Sequence, residues 1–205
     1  MANRYKTALL FGGPGSGKGT QGETLGSILG FFHCSSGDIF RSIDPTTEIG
    51  KTFKEYSTRG ELVPDDVTVR LWAETTRAWV NDGKYNPGKE MLILDGIPRT
   101  VQQAEIMDEH VEVLKILHLV CEDRGAMVDR LRKRALKQGR KDDADEQVIR
   151  NRWDVYDAET RPVIEHYPAE AMVNINAIAT PLQVFHDVLA AIKPVHEANI
   201  APFEG

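Results

Sequence analysis

An apolar run, Thr7-Ala8-Leu9-Leu10-Phe11, leads straight into Gly12-Gly13-Pro14-Gly15-Ser16-Gly17-Lys18-Gly19-Thr20. Gly12, four intervening residues, Gly17 and Lys18 match the spacing of a phosphate-binding loop set between a strand and a helix. A loop that wraps a polyphosphate must bring successive backbone N–H groups against the oxygens, and side chains obstruct that approach. The following helix contributes the positive end of its dipole, and Lys18 adds a full charge. The plainer reading is a glycine-rich turn joining a strand to a helix. The complete spacing and the strand before it favour phosphate binding.

That start predicts the rest of the architecture. Strands are expected at Thr7–Phe11, Phe31–Cys34, Met91–Asp95, Leu114–Val120 and Met172–Ile175. Helices are expected from Gly17 to about Gly30, with Leu25, Ile28 and Leu29 buried, and after a cap at Ser35-Ser36-Gly37-Asp38. Further helices are expected at Thr46–Arg59, from Asp65 to just before Asn81, at Thr100–His110, Asp123–Lys137, Asp145–His166 and Pro181–Ile192, with a patternless tail from Pro194. Strands alternating with helices imply an α/β fold, a parallel sheet of about five strands covered on both faces in three layers. Ligands in such folds sit at the carboxyl ends of the strands. The phosphate loop, Ser36-Gly37-Asp38 and Asp95 all fall at that edge.

Composition sets the outer limits. The chain of 205 residues suits one domain with small insertions. Its net charge of −6 argues against general nucleic-acid binding. No run reaches the ~18 apolar residues of a membrane span. The first residues run directly into the first strand, so a signal peptide is not expected and a cytoplasmic address is. Cys34 and Cys121 read as reduced core residues, and no four-ligand zinc cluster is evident.

Two constellations carry chemistry. Asp95, closing an apolar strand, stands where a carboxylate would hold Mg²⁺ directly or through water. Its alternative is a cap for the segment that follows. The position after Lys18, usually a metal-binding hydroxyl, is Gly19, with Thr20 one later. The second constellation is Arg41, Arg99, Arg134, Arg140 and Arg152, all in segments able to face one cleft. Such cations repel one another unless anions bind between them, as phosphoryl transfer requires. No general base stands out. A phosphate monoester acceptor is already deprotonated near neutral pH and needs none.

At this point the motifs resemble a known family. Gly12 to Gln21, Ser36-Gly37-Asp38 with Arg41, Asp95 to Thr100 with Gln103, and Gly139-Arg140-Lys141-Asp142-Asp143 are similar to adenylate kinase in order and spacing, from Leu9 to about Pro162. The resemblance implies a P-loop kinase core with a nucleoside-monophosphate-binding insertion at 35–63, a short lid at 134–144 and a tail at 194–205. It implies Mg²⁺-dependent transfer between ATP and AMP by a monomer. Gly15, Ser16, Gly17, Lys18, Gly19 and Thr20 would hold the ATP phosphates, and Arg130 would stack on the ATP base. Ser36, Arg41, Val63, Gly96, Arg99 and Gln103 would form the AMP site, Arg41 and Arg99 on the phosphate and Gln103 on the base. Arg134, Arg140 and Arg152 would close on the moving phosphoryl, with Asp142 and Asp143 holding the lid arginines. The Ile97–Pro98 bond would be cis. Departures from the family are the short lid without cysteines, Ser36 in place of Thr, Ile97 in place of Phe, and one extra residue near Ala144-Asp145. A UMP/CMP kinase of the same fold and a non-catalytic ATP sensor remain the alternatives.

Overall fold

Strand β1 (Tyr5–Phe11) lies in the middle of the sheet, as its continuous burial from Thr7 to Phe11 requires. The computed structural model describes residues 4–139, 143 and 145–201. Among them β2 (Phe31–Ser35), β3 (Met91–Asp95), β4 (Val111–Val120) and β5 (Met172–Asn176) complete a sheet in the order β2-β3-β1-β4-β5. Every pairing is parallel. The order places β1 between β3 and β4, so the chain changes direction across the sheet beside β1, where such sheets open a crevice for ligands.

Side chains of successive strand residues point to opposite faces. Leu9, Leu92, Leu94 and Ile116 therefore meet on one face, under Trp72 of α4 (Asp65–Asn81), Met107 of α5 (Val101–Met107) and Val163 of α8 (Val163–His166). Leu10, Met91, Ile93 and Leu117 meet on the other, under Leu25 of α1 (Lys18–Gly26) and Val184, Val188 and Ile192 of α9 (Pro181–Asn199). Full burial of each such side chain is worth about 2 kcal/mol. A third, smaller cluster of Met127, Leu131, Ile149, Trp153 and Tyr156 joins α6 (Arg124–Gln138) to α7 (Glu146–Val155). Helices α2 (Ser36–Ser42) and α3 (Glu48–Arg59) complete the set, and Phe40 stacks on Phe53 between them. Side-chain oxygens of Ser35, Thr47, Thr100, Asp123 and Asp145 cap five helices, at about 1 kcal/mol each.

Several expectations need correction. Helix α1 ends at Gly26, and Ile28 and Leu29 are 37% and 72% exposed rather than buried. The cause is close packing: Gly22 and Gly26 lie against His33, and Gly30 at φ 90 turns the chain into β2. The helix expected over 145–166 is interrupted by a wider turn at Tyr156–Thr160, where Arg161 N–H bonds to Tyr156 O. Pro162 follows, and a proline ring would clash with a carbonyl four residues back in a regular helix. The patternless tail is instead mostly helix, since α9 runs through Pro194 to Asn199. Lys6 Nζ donates to Asn199 O at 2.5 Å, His196 Nε2 lies 2.9 Å from Gly30 O, and Ile200 is buried. Tertiary packing overrides the missing proline N–H. Strand β4 begins at Val111 rather than Leu114. Cys34 is fully buried as expected, whereas Cys121 is only half-buried. No helix among the described residues is long and apolar enough to cross a membrane.

Candidate active site

The register aligns Leu10 with Asp95, and Asp95 with Ser35, so the phosphate loop, Asp95 and the start of α2 share one level at the carboxyl edge. Gly12, Gly15 and Gly17 adopt φ of 148, 84 and 98, which bulkier residues resist. The space around the loop is as restrictive as its dihedrals. A Cβ on Gly13 would lie 2.2 Å from the Trp153 ring, and one on Gly15 would lie 2.7 Å from Met127 O. The loop thus rests on α6 and α7. Ser16 Oγ is buried in it without a hydrogen-bond partner among the described residues. Lys18 Nζ folds back to donate to Gly12 O (2.5 Å) and Gly13 O (3.1 Å). Burial pulls Lys18 down to about 8; Asp95 opposes this, while Arg99, Arg152 and Arg134 reinforce it.

Asp95 is buried beside the loop, and a Cβ on Gly19 would lie 3.6 Å from its Oδ2. His33 Nε2 sits 3.9 Å from the same oxygen, buried and without a hydrogen-bond partner among the described residues. Sequence reading missed this histidine, whose one signal is its place two residues before the Ser35 cap. No cluster of three or more metal-ligating side chains occurs among the described residues.

Across the cleft, side chains rather than backbone line the wall. Lys18, Ser36, Arg41, Val63, Gly96, Arg99, Gln103 and Arg152 all face the same cavity. Arg99 follows the cis Ile97–Pro98 bond and donates through Nε to Gly96 O at 2.7 Å. Burial, then the charge of Arg152, lower it to about 10. Ser36 Oγ donates to Gly96 O at 2.6 Å, and Arg41 pairs with Asp38 at 2.5 Å. Phe40, Phe53, Val155 and Tyr156 add a largely apolar wall that the sequence did not mark as part of the site. The one carboxylate among the described lining residues, Glu61, is paired with Arg59 at 2.8 Å.

Not every expected arginine reaches the cleft. Arg134 instead grips Asp143 through Nε (2.6 Å) and Nη2 (2.9 Å), and Arg152 donates to the same carboxylate at 2.6 Å. Asp143 is 0% exposed; burial opposes its ionisation, yet the bonds and charges of both arginines outweigh that and hold it below the usual carboxylate range. Removing one member of such a buried pair costs about 3 kcal/mol, the low end of the usual range because both arginines are part-exposed. Arg130 donates to Ala177 O at 2.8 Å, at the end of β5. Arg140 and Asp142 lie outside the described residues.

This geometry can be set beside known proteins. The adenylate kinase family matches the chain over residues 10–172. The chain belongs to the adenylate kinase family. It is 37% identical over 192 residues to the adenylate kinase of Phocaeicola vulgatus, covering 90% of this chain and 97% of that one. It is 39% identical over 191 residues to that of Corynebacterium aurimucosum, again with 90% and 97% covered. Against that of Kocuria rhizophila the identity is 38% over 191 residues, with the same coverage. The matched span takes in the loop, the Asp95–Arg99 turn and Arg41, Arg134 and Arg152.

Proposed function

We infer that this chain transfers the terminal phosphoryl group of ATP to the phosphate of AMP, giving two ADP, as an adenylate kinase. The observation that carries the reading is one cleft with two different anion anchors, in which the lining carboxylate Glu61 is paired with Arg59 and Asp95, beside the loop, would serve the metal. An acceptor hydroxyl would need a base there; an acceptor phosphate does not. Backbone N–H groups from Gly15 to Thr20, with Ser16 and Lys18, hold the ATP phosphates, and Arg130 flanks the ATP base. Arg41 and Arg99 hold the AMP phosphate, with Ser36, Val63 and Gly96 shaping its pocket and Gln103 reading the base. Arg152, joined by Arg134 and Arg140 as the lid closes, would stabilise charge spreading over the equatorial oxygens as the group moves in line, without a covalent enzyme intermediate.

A single buried carboxylate beside a polyphosphate loop suits Mg²⁺, which keeps several waters and takes its other oxygens from phosphates. Asp95 would hold it through water, and when bound it neutralises phosphate charge. Segment 35–63 carries the acceptor site, and 134–144 forms the short lid, whose arginines Asp142 and Asp143 hold in register. Excluding water there prevents hydrolysis of ATP in place of transfer. Action as a monomer in the cytoplasm is what the resemblance to adenylate kinase implies.

The test is a coupled assay of ADP formation with Mg-ATP and AMP, UMP or CMP offered in turn. AMP is expected to have the highest kcat/KM. A higher value for UMP or CMP overturns the adenylate reading, and absence of turnover with all three points to an ATP sensor.

A further inference from the structure

Gln103 lines the cleft and is 1% exposed, and its amide is held from two sides. Its Oε1 accepts the Arg99 backbone N–H at 2.7 Å. Its Nε2 donates to Asp65 Oδ1, also at 2.7 Å. An amide is nearly symmetric in shape, so which end is oxygen is fixed by its partners alone. Here the partners leave no choice. A backbone N–H can only donate and a carboxylate can only accept, so a flipped amide would face donor to donor and acceptor to acceptor. The Arg99 N–H comes from the turn next to Gln103. Asp65 comes from elsewhere, the first residue of α4, and no motif in the sequence marks it.

We propose that Asp65 is a specificity-determining positioning residue, which locks the Gln103 amide in the order that accepts a 6-aminopurine monophosphate and refuses a 6-oxopurine. The inference rests on the reading of Gln103 at the acceptor base. With Oε1 and Nε2 each spending one bond on the protein, one oxygen lone pair and one N–H remain, in fixed order. Adenine presents an amino donor at position 6 beside a ring-nitrogen acceptor, which complements that order. Hypoxanthine has the same size but presents a carbonyl at position 6, which meets the Gln103 oxygen acceptor to acceptor. Cytosine shares the amino order of adenine, so this device sorts amino from oxo bases, and pocket size must sort purine from pyrimidine.

A helix-dipole role is the simpler function for an acid at this position, and Asp66, exposed in the same first turn, supplies the control for it. Dissociation constants for AMP and IMP are measured by titration calorimetry for the intact protein and for Asp65→Ala, Asp65→Ser, Asp66→Ala and Gln103→Ala. Thermal unfolding and AMP turnover are measured alongside. Serine is too short to reach the amide yet suits a helix start, so it keeps the test open where Asp65→Ala fails to fold. The IMP-to-AMP ratio of dissociation constants is expected to fall about tenfold in both Asp65 variants, the discrimination one hydrogen bond commands, with AMP kcat within a few-fold. It is expected to stay unchanged in Asp66→Ala. A purely structural Asp65 weakens both ligands in proportion and leaves the ratio in place. A fall of less than threefold in the Asp65 variants, with the ratio lost in Gln103→Ala, overturns the proposal while Gln103 still reads the base. A ratio that survives Gln103→Ala overturns the reading of the base itself, and the proposal with it.

Discussion

In the function proposed above, the two walls of the cleft recognise anions by different means. On the loop side the donors are backbone N–H groups, and their arrangement is fixed by Gly12, Gly15 and Gly17 at positive φ and by Trp153 and Met127 packed behind. On the arginine side the donors are side chains: Ser36 is aimed by Gly96 O and Gln103 by Asp65, partners far along the chain, whereas Arg41, Arg99 and Arg152 are held by nearer ones, Asp38, Gly96 O and Asp143. A backbone site tolerates changes of side chain but not the addition of a single carbon at a glycine. A side-chain site tolerates neighbouring changes but fails when its one guanidinium is cut.

The sharpest way to break this contrast is Arg99→Ala. Turnover is expected to fall about a thousandfold, with the thermal midpoint nearly unchanged because the guanidinium bonds only to Gly96 O among the contacts described. Steady-state kinetics with a melting curve decide it, and near-normal activity would remove Arg99 from the site.

On the loop side the matching change is Gly13→Ala, which adds one carbon 2.2 Å from the Trp153 ring. The expected result is a KM for ATP raised about tenfold, the scale of an overpacked contact of 1–2 kcal/mol, with AMP binding little affected. Adding Trp153→Ala should restore part of the loss. An unaltered KM in the single variant would show that the loop shape does not depend on its backing.

The smallest effect concerns the one charged side chain of the loop. Lys18 is lowered to about 8, so it is protonated below that pH and loses its charge above it. ATP affinity should therefore be flat between pH 7 and about 8 and then weaken by up to tenfold per unit as the ammonium is lost. Lys18→Ala should abolish that slope. Calorimetric dissociation constants across the range check it, and an unchanged slope in the variant would assign the titration to another group.

How much of this was legible without coordinates follows the same division. Features encoded within a few residues could be read: the glycine spacing of the loop, the Ser35 cap, the apolar run ending in Asp95 and the alternation that demands a parallel sheet. Backbone dihedrals and short-range hydrogen bonds depend on near neighbours, so the sequence carries them directly. The resemblance of the motifs to adenylate kinase extended that reading to individual arginines, and the family match agrees with the resemblance itself.

What only the tertiary structure decided lies where partners come from far along the chain. Arg130 donates to Ala177 O, 47 positions away, Leu29 stays exposed although its helix spacing points inward, and α9 passes through Pro194 because Lys6, Gly30 and the core receive its end. The pairing of Asp65 with Gln103 spans 38 positions and appears in no local pattern. By itself the sequence determined the loop, the strands and the chemistry available at their ends. Sheet register and helix packing decided which of those groups meet, because a side chain's direction is set by the surfaces it lands on and not by its neighbours in the chain.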